Sequence, residues 1–295
     1  MHAKLMIGAI SIAMSASLQP AAAAPDWQMV AKTLGKSGTE MPDGVYRVGL
    51  PRTDLKVSLD GVAVKPGFAL GGWVAFEPMG NKVMVMGDIV LTQDEVNPVI
   101  KKLEESGIEI TALHNHLLRA EPMTLYMHVL GQGDPVTLAA ALHAGLALSK
   151  TPMVNATPAA TQPQIAFDTA AVEQAIGRKG KANGGIYQFT IARAETITDG
   201  GMTVPASMGS AIGINFQPTG GDKAAITGDF VLIASEVNPV LRALRENGIE
   251  VTALHSHMLD EQPRLFFMHF WANDDAVKLA RGLKAALDKM NLANS

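Results

Sequence analysis

Thr111-Ala112-Leu113-His114-Asn115-His116-Leu117-Leu118 is written a second time as Thr252-Ala253-Leu254-His255-Ser256-His257-Met258-Leu259, an offset of 141 positions. A further histidine stands twelve residues beyond the second histidine of each copy, at His128 and His269. The chain holds 8 histidines, and six belong to these two triplets; His2 lies in an apolar leader and His143 stands alone. A duplicated fold built around the triplets is therefore the first expectation.

The duplication extends outward from the histidines. Between Gly87–Leu118 and Gly228–Leu259, 20 of 32 positions are identical. On the N-terminal side, helical spacing of Trp27, Val30, Ala31 and Leu34 ends at Gly35, and Val172, Ala175 and Ile176 end likewise at Gly177. Strands are expected at 45–50 and 186–191, at 72–76 and 212–216, and at 83–91 and 224–232. Asp60-Gly61 and Asp199-Gly200 supply the turns between strands. Gly87-Asp88 and Gly228-Asp229 suggest a bulge. Asn97-Pro98 and Asn238-Pro239 read as helix starts, with Gly107 and Gly248 as the stops. A last helix begins at Asp134, or at Asp275, with its leucines on one face.

Each half thus reads α-β-β-β-α-β-β-α. The expected class is α+β: a tandem duplication of a mainly antiparallel sheet with helices on one face, with a ferredoxin-like βαββα core in each repeat. The domain reading is a signal peptide over 1–24, repeat domains over 25–150 and 165–295, and a Pro/Ala/Thr-rich linker over 151–164. A pseudo-twofold packing of the repeats would bring the histidine sets into related positions.

Composition narrows the function. A chain of 295 residues, 47% hydrophobic and 18% charged, can bury two proper cores. Its formal charge of −4 and lack of a basic cluster argue against a nucleic-acid partner. Lys4, an apolar run from Leu5 to Leu18 and Ala21–Ala24 have the three-part build of a secretory signal, and the run is too short for a membrane span. A periplasmic or secreted protein is expected. With no cysteine, disulfides and thiolate ligands are excluded, so a bound metal would rest on His, carboxylate or Met.

Strand alternation puts His114 and His116 on one face. A hairpin centred on Glu121 would set His114 opposite His128 and His116 opposite Tyr126, with His255 opposite His269 and His257 opposite Phe267 in the second copy. Three imidazoles then converge, which is the ligand set of an open metal site. The expected metal residues are His114, His116, His128, His255, His257 and His269. Zinc is the first choice and copper or iron the alternatives. Other repeated polar residues have plainer readings. Asp88 and Asp229 read first as turn devices and second as ligands or orienting partners. Glu95 reads as part of a capping box with Thr92. Arg52 with Asp54, and Arg193 with Glu195, read as solvated ion pairs. Met127 and Met268 point to the opposite face, as core filler.

Met86-Gly87-Asp88, Asp94-Glu95-Val96-Asn97-Pro98, the His114-Asn115-His116 stretch, Asn215-Phe216-Gln217-Pro218 and Phe267-Met268-His269-Phe270-Trp271 together resemble the bacterial LppY/LpqO family, over nearly all of the chain beyond the leader. The resemblance implies an exported, repeated domain without an assigned reaction. Because this chain lacks a lipobox cysteine, the lipid anchor implied by some family names does not carry over.

Three functions follow as expectations. The first is divalent-metal binding, extending to metal-dependent hydrolysis. The second is a metal-independent two-histidine phosphoesterase, against which stands His116 or His257 where such enzymes carry Ser or Thr. The third is a non-enzymatic envelope module that binds a small ligand or partner.

Overall fold

The computed structural model of the chain describes residues 24–80, 82–155 and 163–293. The leader reading and the middle of the linker reading lie outside these residues. No helix among the described residues is long and apolar enough to cross a membrane.

Each repeat builds a six-stranded sheet. In the first, the spatial order is Thr39–Glu40, Tyr46–Pro51, Gly71–Met79, Lys82–Thr92, Thr124–Gly133, Glu109–His114, and every neighbouring pair is antiparallel. The second sheet repeats this order with Lys181–Asn183, Ile186–Ile191, Ile212–Gly220, Lys223–Ile233, Leu265–Asp275 and Glu250–His255. The strands Lys82–Thr92 and Glu109–His114 flank one common antiparallel partner. They therefore run parallel to each other, joined by the helix Gln93–Glu105, which makes the split β-α-β at the heart of a ferredoxin-like core.

Alternation along Lys82–Thr92 gives the sheet two different faces. Val83, Val85, Ile89 and Leu91 pack with Val96, Val99, Leu103, Leu138 and Leu142 of the helices. Met84 and Met86 point the other way and join the core of the second repeat. Both sheets are thus covered by helices outside and by one another inside, in four layers. A short arm of each repeat crosses to the other. In the first, the hairpin Val57–Leu59/Val62–Val64 and the turn of helix Pro66–Ala69 reach over; the Gln217 side chain accepts from Lys65 N–H and donates to Ala63 O. In the second, Ser207 donates its hydroxyl to Asp43.

Four local expectations are corrected. The helices start at Gln93 and Ala234, so Asn97-Pro98 and Asn238-Pro239 lie inside them. What sets the start is a carboxylate: Glu95 accepts from Thr92 N–H, and Glu236 from Ile233 N–H. The pairing through Gly87-Asp88 is continuous on both sides, and the bulge lies instead at Thr111 and at Thr252. The strands end at His114 and His255, leaving His116 and His257 on the following loop.

The ion pairs are the fourth correction. The Arg52 guanidinium is fully buried, bonded to Asp54, to both oxygens of Glu95 and to Val90 O. Arg193 repeats this with Glu195, Glu236 and Val231 O. A buried guanidinium requires that its donors be met, and here a fork-shaped donor meets two carboxylates and a carbonyl. Burial by itself would raise the Glu95 carboxyl, yet the bonds from Arg52 and from the Thr92 and Lys150 backbone hold it below its ordinary value. These networks tie the edge of the second strand to the helix start.

Candidate metal centre

The strand register decides which side chains meet. Ala112 pairs with His128 and His114 with Tyr126, and in the second copy Ala253 pairs with His269 and His255 with Phe267. The tight hairpin expected around Glu121 is displaced by two residues, because residues 115–123 form a loop that crosses toward Ser58. A shift of two preserves the face, so His114 and His128 still share the inner side, now diagonal at a ring separation of 5.0 Å. Asp88 stands directly opposite His128, and Asp229 opposite His269, on that same face.

Face-to-face packing of the sheets then merges the two triplets. Tyr126 stacks on His116 at 3.4 Å and His116 on His269 at 3.6 Å. The mirror stack runs Phe267, His257, His128 at 3.5 and 3.6 Å. Between them His114 and His255 stack on each other at 3.5 Å, where the pseudo-twofold axis passes. All six expected histidines therefore lie in one layer. His143, outside the triplets, is structural: its Nδ1 sits 2.9 Å from Leu34 O.

The bulges lock this arrangement across the repeats. An extra residue in the strand redirects a side chain, and here the Thr111 hydroxyl donates to His257 O at 2.6 Å while Thr252 donates to His116 O at 2.6 Å. Each repeat thus holds the loop histidine of the other.

What the layer lacks among the described residues is hydrogen-bond partners. The Nε2 atom of every one of the six histidines is buried and unpaired, as are Asp88 Oδ1 and Asp229 Oδ1. Buried polar atoms are nearly always satisfied, so this concentration points to something that the side chains are shaped to hold. Three sets bring ligand atoms within 4.8 Å of one another: His114, His116, His255 and His257; Asp88, His116 and His128; and Asp229, His257 and His269. Asp88 Oδ1 lies 3.9 Å from His128 Nε2, and Asp229 Oδ1 3.7 Å from His269 Nε2. That is too long for a hydrogen bond, and close to the roughly 3.4 Å between two ligands of a tetrahedral zinc ion at ~2.1 Å each. His269 Nδ1 faces Gly228 O at 2.9 Å, which sets the proton on Nδ1 and leaves Nε2 as the lone-pair side.

The electrostatics agree. Burial drives the His114 imidazole down to about 3, with repulsion from His255 adding to it, and drives His255 down to about 4. His116, His128, His257 and His269 are lowered well below their ordinary value, again chiefly by burial. All six are neutral at neutral pH, which is the metal-binding form. Burial raises Asp88 to about 7, partly countered by Arg47, and raises Asp229 well above the carboxylate range. A cation between a buried carboxylate and two imidazoles would relieve these penalties.

Sequence reasoning ranked the two aspartates as turn devices. Their position opposite the third histidine of each repeat is the signal that places them in the layer. The threonine clamps carried no sequence signal, since a bulge at Thr111 cannot be read from composition.

A family model described as Domain of Unknown Function (DUF1259) matches residues 28–148 and again residues 170–289. No curated protein matches the chain. Among solved structures, the trimeric bacterial microcompartment shell protein PduB aligns over 88% of this chain and 97% of its own, at 12% identity and a TM-score of 0.23. At that score the likeness carries no argument.

Proposed function

The chain belongs to the family described as Domain of Unknown Function (DUF1259), in both repeats, and from the layer between those repeats we propose that it binds divalent metal. One observation carries the reading: six imidazole Nε2 atoms and two carboxylate oxygens, buried and without partners, lie in one layer and fall into groups whose ligand atoms are within 4.8 Å of one another. If each imidazole gives one nitrogen, the four-histidine set and the two aspartate-containing sets exclude each other, since both use His116 and His257. The geometry favours the two aspartate sets. Each draws all its ligands from one repeat, each couples a carboxylate to two imidazoles, and His269 already has its other nitrogen engaged.

Two imidazoles and one carboxylate leave coordination positions open, a donor set suited to zinc or ferrous iron. Such an ion acts as a Lewis acid and lowers the pKa of bound water, so metal-dependent hydrolysis is the reaction class that fits. The side chains' part is to hold the ion, keep the imidazoles neutral and exclude bulk water. Export belongs to the same reading and rests on residues 1–24; the resemblance of the chain's motifs to the exported LppY/LpqO family accords with it. Metal analysis of the protein purified without a histidine tag tests the proposal. Copurifying or avidly titrated zinc or iron supports it, and loss of that metal in Asp88→Asn with Asp229→Asn would favour the aspartate sets.

A further inference from the structure

The histidine layer is nearly symmetric, but the spaces on its two sides are not. Beside His116 and His269 lies a cavity of about 220 Å³ that both Asp88 and Asp229 border. Its counterpart beside His257 and His128 holds about 20 Å³. The second figure is room for about one water and the first for several.

Register explains the difference residue by residue. Trp73 pairs with Asp88, whereas Gly213 pairs with Asp229. The indole on one side thus has no counterpart on the other, and a Cβ added at Gly213 would meet nothing within 4 Å. Two residues before each aspartate stand Met86 and Thr227. Arg47, paired with Ala75, lies over the Trp73 ring at 4.4 Å and closes its side; Gln188, paired with Asn215, occupies the corresponding place and opens the other. Met208 completes the plug next to Trp73. In every pair, the member on the Gly213 side is smaller or carries a neutral hydrogen-bonding group.

We propose that the cavity on the Gly213 side is the single substrate chamber of the layer, and that it admits a small uncharged molecule bearing hydroxyl or amide groups. The Trp73 side is its plugged structural counterpart. The chemistry of the lining supports the charge class. Gln188 donates to Asn215 Oδ1 at 2.9 Å and Asn215 donates to Phe68 O at 2.9 Å, so a fixed pair of amides faces the space. Thr227 adds a hydroxyl, and no Lys or Arg is among the lining residues to pair with an anion. The assignment deepens the metal reading, which supplies its chemistry, but the test of access needs no metal.

Diethyl pyrocarbonate acylates accessible neutral imidazoles, and mass-spectrometric peptide mapping reads each site. In the metal-free protein, His116 should label several-fold faster than its counterpart His257. Gly213→Trp, or Thr227→Met where the first fails to unfold cooperatively, should slow His116 to the rate of His257. Trp73→Gly combined with Met86→Thr should speed His257. Acetamide should protect His116 and its isosteric anion acetate should not. Equal labelling of His116 and His257 in the unaltered protein, or no slowing in either closing variant, overturns the one-sided chamber; protection by acetate equal to that by acetamide overturns the charge class. Metal titration of the same preparation reports separately on the metal reading, so the two can fail independently.

Discussion

The Thr111 hydroxyl donates a 2.6 Å hydrogen bond to the backbone carbonyl of His257, across the boundary between the repeats. Its counterpart, Thr252 to His116, closes the relation from the other side. Because each bond fixes a loop histidine that its own strand no longer supports, the layer depends on the repeats being docked. Thr111→Val keeps the shape and removes the donor, and should destabilise the protein by about 0.5–1.5 kcal/mol. Thr111→Val with Thr252→Val should also weaken metal binding more than either change alone, read by competition with a chromogenic chelator. Unchanged affinity in the double variant would show that the clamps serve stability only.

The buried guanidiniums give a second expectation. Removing one partner of a buried ion pair strands the other, at a cost of about 3–5 kcal/mol. Glu95→Ala should therefore lower the unfolding free energy by that amount, read from urea melts, and Glu236→Ala similarly, with neither touching the histidine layer. A surface-like loss below about 1 kcal/mol would contradict the burial of Arg52.

Acid should unfold the metal-free protein early. The six imidazoles are lowered on folding, so the unfolded chain binds protons first, and their contribution is complete above about 6.5 and lost as pH falls toward their folded values. Asp88 and Asp229 are raised on folding and act oppositely: they favour the fold below about 4 and lose that favour as pH rises through about 7. Six groups outweigh two, so stability should fall between pH 6.5 and 4, by up to about 1.4 kcal/mol per pH unit for each of the buried His128, His257 and His269. Thermal melts across that range check the sign. A flat profile would mean that the imidazoles are not buried neutral.

Much of this was legible in the sequence. The duplication, the order of the main strands and helices, the capping by Asp134 and Asp275 and the convergence of three histidines within each repeat follow from repeats and periodicity. Three features escaped. The strand register did, because residues 115–123 form a crossing loop, and loop path is a tertiary matter. The helix start did in part, because the Thr92–Glu95 capping box was legible beside Asn97-Pro98 and only the burial of Arg52 against Glu95 decides between the two signals. The sharing of one layer by both repeats did, because nothing local in His114 or His255 says that the two rings will stack at 3.5 Å.

Chelation separates the enzymatic readings. A metal-dependent hydrolase should lose activity in dipicolinate and regain it on adding zinc or iron. Cleavage of cyclic phosphodiesters that survives the chelator would favour a metal-free pair of histidines instead.

The most direct measurement is elemental analysis, by plasma mass spectrometry, of the untagged protein as purified and after dialysis against zinc. Two equivalents are expected when the aspartate sets fill, and one when the four histidines fill. His116→Ala with His257→Ala should abolish both, since every candidate set contains one of these residues. Protein that carries no metal, and takes up none of the first-row divalent ions, would contradict the account.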